Sequence, residues 1–256
     1  MNILKAPSEV LKVWNQFDKY PLETLTKAWL SVQKDGPRQR TIEEMVQHRK
    51  QYGTSGNCFD LALWLLHEFH DAGIEAYLIG RHLLTPKAHV AVVAIGKNGY
   101  RYLCDLGDQW IAPILLDYSS ECFTKKPLEG FFPGANIQVA SSDQSCFIKY
   151  YRPNGEISSQ IYDLRSISRE KFIEAGHFSQ SSLDKPLCEM RLPLDNEIGH
   201  WEFYNWRSFI STNDGLYGEN PCSSLHEWSH RIHKKTGMDP SIVYASLQVY
   251  THQSTL

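Results

Sequence analysis

Tyr52-Gly53-Thr54-Ser55-Gly56-Asn57-Cys58-Phe59-Asp60, with the apolar run Leu61 to Phe69 behind it, is the stretch around which the chain is organised. Gly53 and Gly56 permit positive φ and let backbone or a ligand carbonyl approach closely. Beyond them the pattern turns helical. Leu61, Leu65 and Phe69 recur four apart, Trp64 and Leu66 widen the stripe, and Gly73 follows as a stop. The stretch reads as a turn that delivers Cys58 onto the first turn of a helix. There, unpaired backbone N–H groups and the positive end of the helix dipole favour a thiolate over a thiol. That is a nucleophile's environment.

Working outward, residues 8–33 carry Leu11, Trp14, Phe17, Leu22, Leu25, Trp29 and Leu30 at spacings near three and four, interrupted by Pro21. Two short helices joined at the proline are expected. Thr41 and Glu44 form a capping-box pattern that opens a third helix through Met45, Val46 and His48. The first seventy-odd residues thus form a small helical bundle. From Glu75 the period changes to runs of β-branched and aromatic residues: Tyr77–Ile79, Ala88–Ile95 and Tyr100–Asp105. Gly96-Lys97-Asn98-Gly99 is a hairpin signal between the last two, and Pro153-Asn154-Gly155 joins further strands at 146–151 and 156–162, with another at 137–140. This middle section, to about residue 190, is β-rich and antiparallel. Trp201, Phe203, Tyr204, Trp206 and Phe209 follow, better suited to core packing than to lining an acceptor pocket. Helical patterns then cover Ser223–Lys235 and the residues after Pro240. The fold class is α+β.

The 256 residues suffice for a sizeable core. With 42% apolar and 21% charged residues and a net charge of −3, nothing points to nucleic acid or an anionic membrane as partner. Met1–Phe17 lacks the apolar core of a secretory signal, and no stretch is apolar enough to span a membrane, so a cytoplasmic protein is expected. The cysteines at 58, 104, 122, 146, 188 and 222 lack CxxC spacing, which favours free thiols over a disulfide framework or a zinc ribbon.

Three residues combine into a mechanism. Cys58 opens a helix, His89 lies in the strand Ala88–Ile95, and Asp105 closes the next strand. A histidine that accepts the cysteine's proton, held in the right tautomer by a carboxylate, makes the thiol a nucleophile. The hairpin register tests the idea. A two-residue turn at Lys97-Asn98 would pair 89 with 106 and put Asp105 on the face opposite His89. A three-residue loop with Gly99 left-handed pairs 91 with 105 and 89 with 107, leaving His89 and Asp105 diagonal neighbours about 7–8 Å apart at the backbone. Glycine at 99 is what that loop requires.

On these residues the chain resembles the arylamine N-acetyltransferases and, more distantly, transglutaminase-like and papain-like enzymes. That family's nucleophile motif is R-G-G-x-C-x-E-x-N, followed by a histidine in an apolar strand and an aspartate in D-V-G-F-G. Here the segments read Thr54-Ser55-Gly56-Asn57-Cys58-Phe59-Asp60-Leu61-Ala62, His89-Val90-Ala91-Val92-Val93 and Asp105-Leu106-Gly107-Asp108-Gln109. The resemblance implies a cysteine proteinase-like core in three parts: a helical bundle at 1–74, an antiparallel β-barrel at 75–190 and an α/β lid at 191–256. It implies a Cys58–His89–Asp105 triad, acetyl-CoA or another acyl-CoA as co-substrate, no metal, and a small-molecule amine as acceptor in a ping-pong reaction. Gly107, Asp108 and Gln109 are the implied cofactor-contacting positions. Thr54 in place of arginine implies loss of the ion pair that braces the family's loop.

The same triad would equally serve a cysteine amidase or protease, and a degenerate member would bind without turnover. His226-Glu227-Trp228-Ser229-His230 matches the HExxH zinc signature. Arg231 follows at once, no glutamate occurs later as a third ligand, and His233 occupies the position of the expected glycine, so an exposed helix face is the better reading. His67 and His70, and the basic pairs Lys125-Lys126 and Arg38 with Arg40, read as solvated surface.

Overall fold

Pro21, Gly53 and Gly56 punctuate the first part of the chain in the computed structural model, which describes residues 5–253. Helix α1 (Ser8–Trp14) continues as a short 3-10 turn to Phe17; strand β1 (Leu22–Glu23) and helix α2 (Leu25–Ser31) follow the proline. Helix α3 (Ile42–Tyr52) begins with the capping box of Thr41 and Glu44, each side chain accepting from the other's backbone N–H. Gly53 ends it at φ +70°, and a side chain there would collide with the Gly237 carbonyl at 2.5 Å. Helix α4 (Cys58–Asp71) buries Phe59, Leu61, Trp64, Leu65 and Phe69, each contributing roughly 1.5–3 kcal/mol by leaving water. It packs against the first sheet.

That sheet is antiparallel, in the order β2 (Ala76–Arg81), β3 (His89–Ile95), β4 (Arg101–Cys104) and β5 (Ile114–Leu115). A second comprises β6 (Leu128–Phe132), β7 (Ala135–Ser141), β8 (Ser145–Tyr151) and β9 (Ile157–Asp163). Helix α5 (Arg169–Ser181) leads to β10 (Leu187–Pro193), β11 (Ile198–Tyr204), β12 (Arg207–Thr212) and β13 (Gly215–Gly218), and the chain closes with α6 (Leu225–Thr236) and α7 (Pro240–Gln253). The third sheet runs β1-β10-β11-β12-β13, so the N-terminal segment supplies one of its edges. Leu25 and Ala28 of α2 likewise join Trp201, Phe203, Trp228 and Val243 in a second, smaller core.

The mixed helix-and-sheet class stands, but the expected central β-barrel does not: among the described residues the strands form three open sheets. Two-residue β5 ladders only with β4, and β6 pairs only with β7, through an irregular register. β2 and β9 lie alongside without laddering, so no hydrogen-bonded circuit closes. Among the described residues no helix is long and apolar enough to cross a membrane.

The β3–β4 hairpin adopts the three-residue loop. Val92 pairs with Cys104 and Ile95 with Arg101, the Gly96 N–H donates to the Tyr100 carbonyl, and Gly99 sits at φ +78°. Continued one step, this register sets Asp105 opposite Ala91, on the face of His89. A Cβ on Gly99 would have nothing within 4 Å, so a side chain there meets only backbone strain. Gly99→Ala is therefore expected to lower stability by about 1–2 kcal/mol, and Gly99→Asn by less, in urea titrations. Equal stability of all three chains would contradict this reading of the loop.

Candidate active site

Asn57 caps α4, its Oδ1 accepting from the N–H groups of Phe59 (3.0 Å) and Asp60 (3.3 Å), while Asp60 accepts from the Asn57 N–H. Cys58 is therefore the first helical residue, and its own N–H is a first-turn donor that Asn57 does not take up. Gly107 shows what stands over it. A Cβ on Gly107 would lie 2.7 Å from Cys58 Cβ, 3.0 Å from His89 Cε1 and 3.2 Å from Asp105 Oδ1. The three side chains named from the sequence converge on one point, which only a glycine leaves open.

His89 Nε2 and Asp105 Oδ2 are 2.6 Å apart, so Nδ1 is the ring nitrogen left for the thiol. Burial alone would push the imidazole down, but Asp105, Asp108 and hydrogen bonds to Asp105 and Cys58 outweigh it and hold it well above the ordinary histidine value. Asp105 is wholly buried; its Oδ1 accepts from the Asp108 N–H (3.1 Å) and its Oδ2 from the Tyr162 hydroxyl (2.9 Å). The same hydroxyl lies 3.1 Å from Asp108 Oδ2.

No family sequence model matches this chain, and no curated protein matches it in sequence. Solved structures do match. The arylamine N-acetyltransferase of Mycobacterium marinum superposes with a TM-score of 0.72 at 10% identity, covering 93% of this chain and 89% of that one. The Salmonella typhimurium enzyme gives 0.67 at 13% identity, covering 92% and 89%. The fold is that of the arylamine N-acetyltransferases. A further structure in this group, the M. marinum enzyme in complex with CoA, matches at 0.69 and 9% identity over 92% of this chain and 89% of that one.

Within that fold the loop before Cys58 is braced after all. The arginine expected at 54 is absent, but Arg40 enters from the segment before α3 and pairs with Asp60 at 3.1 Å, both side chains at most 2% exposed. Arg40 Nη2 also donates to the Ser55 carbonyl (2.7 Å), and Gln39 and Gln180 donate to Asp60 at 2.8 and 3.1 Å. Buried Glu23 accepts from the N–H groups of Ser55 (3.2 Å) and Gly56 (2.6 Å). Gly56, at φ +105°, cannot carry a side chain, because a Cβ would fall 2.1 Å from Asp60 Oδ2. Arg40 is thus not the solvated surface residue that its sequence context suggests. Its partner lies in a distant part of the chain, and only the acids at 23 and 60 hint at buried charge.

The residues expected at the cofactor separate. Gly107 faces the cysteine and histidine, Asp108 joins the acid pair, and Gln109 is fully buried, donating to the carbonyls of Leu106 and Tyr20 and accepting from the Arg191 N–H. Tyr162 escapes a sequence reading because it ends an ordinary alternating strand. Donor atoms of His89, Asp105 and Asp108 lie within 4.8 Å of one another. The 2.6 Å Nε2···Oδ2 separation is that of a hydrogen bond, whereas two ligands on a tetrahedral zinc stand about 3.3 Å apart. At the HExxH segment, Glu227 accepts from Ser223 and His226 stacks on Tyr244, and neither belongs to a cluster of donor atoms among the described residues.

Removing one partner of a buried ion pair leaves the other charged and unsatisfied. Arg40→Met is expected to cost about 3–5 kcal/mol in denaturant titrations, and a loss below about 1 kcal/mol would show that the pair is not the brace. The raised imidazole gives a second expectation. Its contribution to stability is complete below about pH 6.5 and is lost as pH rises through the native value, so the deficit of His89→Gln relative to the unaltered chain should shrink with rising pH. A deficit that grows with pH would contradict the assignment.

Proposed function

We propose that the chain is an acyltransferase that moves an acetyl or other acyl group from a thioester, an acyl-CoA, to an amine through an acyl-enzyme on Cys58. The observation that carries this is the convergence of Cys58, His89 and Asp105 around Gly107 in a fold shared with arylamine N-acetyltransferases, one of them in complex with CoA.

Each group has a task. Cys58 gives its proton to His89, and the sulfur attacks the thioester carbonyl. The negative oxygen that forms is met by backbone donors, that of Cys58 among them. The bond to the donor sulfur breaks, and His89 returns its proton to the departing thiol. An amine then attacks the acyl carbon while neutral His89 accepts its proton; the bond to Cys58 Sγ breaks, restoring the starting pair. Asp105 holds the imidazole so that Nε2 faces the carboxylate and Nδ1 faces sulfur and, later, the amine. The choice of an amine acceptor and a thioester donor comes from the structural neighbours, arylamine N-acetyltransferases, and the site's chemistry suits both.

The test is steady-state kinetics with acetyl-CoA and a panel of arylamines and hydrazines, following release of the free CoA thiol. The proposal expects release that depends on the amine, parallel double-reciprocal lines, and a loss on the order of a thousandfold or more in Cys58→Ala. Thiol release that continues beyond one equivalent per chain without any amine would replace transfer by hydrolysis. Activity retained by Cys58→Ala would overturn the assignment of the nucleophile.

A further inference from the structure

One arginine beside the reacting groups has nothing to hold. Every other arginine that is not exposed, among the described residues, donates to a carboxylate, carbonyl or hydroxyl oxygen, as Arg101 does to Asp117 and Arg191 to the Trp110 carbonyl. Arg81, half-buried at the end of β2, donates to none, and its Nε is closed off from solvent without an acceptor. A cation drawn partly out of water without a counter-ion is costly until something pairs with it.

Its position is specific. Arg81 is the direct cross-strand partner of His89, so the two side chains leave the same face of the sheet. The guanidinium stands 6.0 Å from the centre of the Tyr162 ring and the imidazole 6.4 Å. With Ile79, Ala91 and Asp163 these side chains line a cleft beside the imidazole. The acid in that cleft is already taken, Asp163 accepting from Arg165 Nε at 2.9 and 3.1 Å. Asp105 and Asp108 meet the hydroxyl end of the same ring and form no ion pair with Arg81.

We propose that Arg81 is a specificity-determining residue that receives a carboxylate carried within a few bonds of the reacting atoms, on the amine acceptor or on the acyl group being moved. This rests on the acyl-enzyme at Cys58 proposed above and names the substrate class that it serves.

A guanidinium offers two parallel N–H donors that match a carboxylate. Distance decides which anion reaches it. With its sulfur at Cys58, an acyl-CoA places its diphosphate a whole neutral pantetheine arm away, beyond a side chain adjacent to His89. The acceptor nitrogen, by contrast, must come to His89 to give up its proton, and the acyl carbon must come to Cys58. A carboxylate bonded near either atom is delivered to Arg81.

The surroundings carry the same sign. A groove of about 520 Å³ adjoins the cleft, sharing Gly80 and Asp163 with it, and is walled by His82, Arg165 and Lys171, with Asp163 its one acid. Such a field draws anions toward the cleft. Lys171 precedes Phe172, whose ring meets that of Phe59, the residue after Cys58, at 5.3 Å. The turn after β2 holds His82 at φ +50° and Leu84 at φ +62°. A left-handed leucine is strained, and strain of this kind collects where a chain grips a ligand.

The experiment is calorimetric titration of the full chain carrying Cys58→Ala with two matched pairs of ligands: para-aminobenzoate against para-aminobenzamide, and succinyl-CoA against pentanoyl-CoA. In one pair the carboxylate should bind at least about tenfold more tightly than its neutral match. A preference in the first pair puts the carboxylate on the acceptor; in the second, on the acyl group. Arg81→Gln and Arg81→Met, the latter keeping the volume of the stem, should each abolish the preference, with backbone amide spectra confirming the fold. No preference in either pair, absence of binding included, or a preference that survives these substitutions would overturn the proposal. Neither titration involves transfer, so a chain that shows the preference yet releases no thiol from acetyl-CoA would defeat the proposed function and leave the carboxylate site standing.

Discussion

Everything at the site depends on the register of one hairpin. With Ile95 opposite Arg101, the side chains of residues 89 and 105 share a face, and a 2.6 Å contact between imidazole and carboxylate becomes possible. A slip by one residue would send Asp105 into the opposite face and leave a partly buried histidine without that acid. Gly99, in the left-handed conformation, holds the chain in the productive register. The cost of the buried Asp105 charge is met locally, by the Asp108 N–H, the Tyr162 hydroxyl and His89, so the acid is satisfied before any substrate arrives.

The cysteine is placed by a second constraint of the same kind. Asp60 is a helix-capping acid that has been taken out of water, and a charge so placed must be paired and hydrogen-bonded. Arg40, Gln39 and Gln180 supply those partners from outside the helix, and Glu23 fixes the amides of Ser55 and Gly56 in the loop that leads to Cys58. The loop that looks unbraced in sequence is held by long-range polar contacts. The two networks meet at Gly107, where a missing side chain is what lets cysteine and histidine approach.

How much of this is legible in the sequence follows from the range of the interactions. The helix behind Cys58, the capping box at Thr41 and the hairpin at 96–99 are local, and the period, cap and turn residues specify them. The pairing of His89 with Asp105 can be derived because only a short turn separates the two strands. Arg40 with Asp60, or Tyr162 with Asp105, leaves no mark in a single sequence, because each partner is an ordinary residue in its own segment. Helix α5 carries no stripe of large apolar residues, burying instead Phe172, Ala175, Gly176 and Gln180, and its pattern is lost among the strands. The expectation of a closed barrel fails for a related reason. Closure needs ladders between strands remote in sequence, and β5 and β6 do not supply them.

The most direct test of the central claim is the mass of the intact protein after exposure to acetyl-CoA alone, with no amine present, and mapping of any adduct by peptide fragmentation. A single acetyl group on Cys58, removed by adding an amine and absent from Cys58→Ala, is the result this account requires. An unmodified chain, or an acetyl group carried on any other residue, would contradict it.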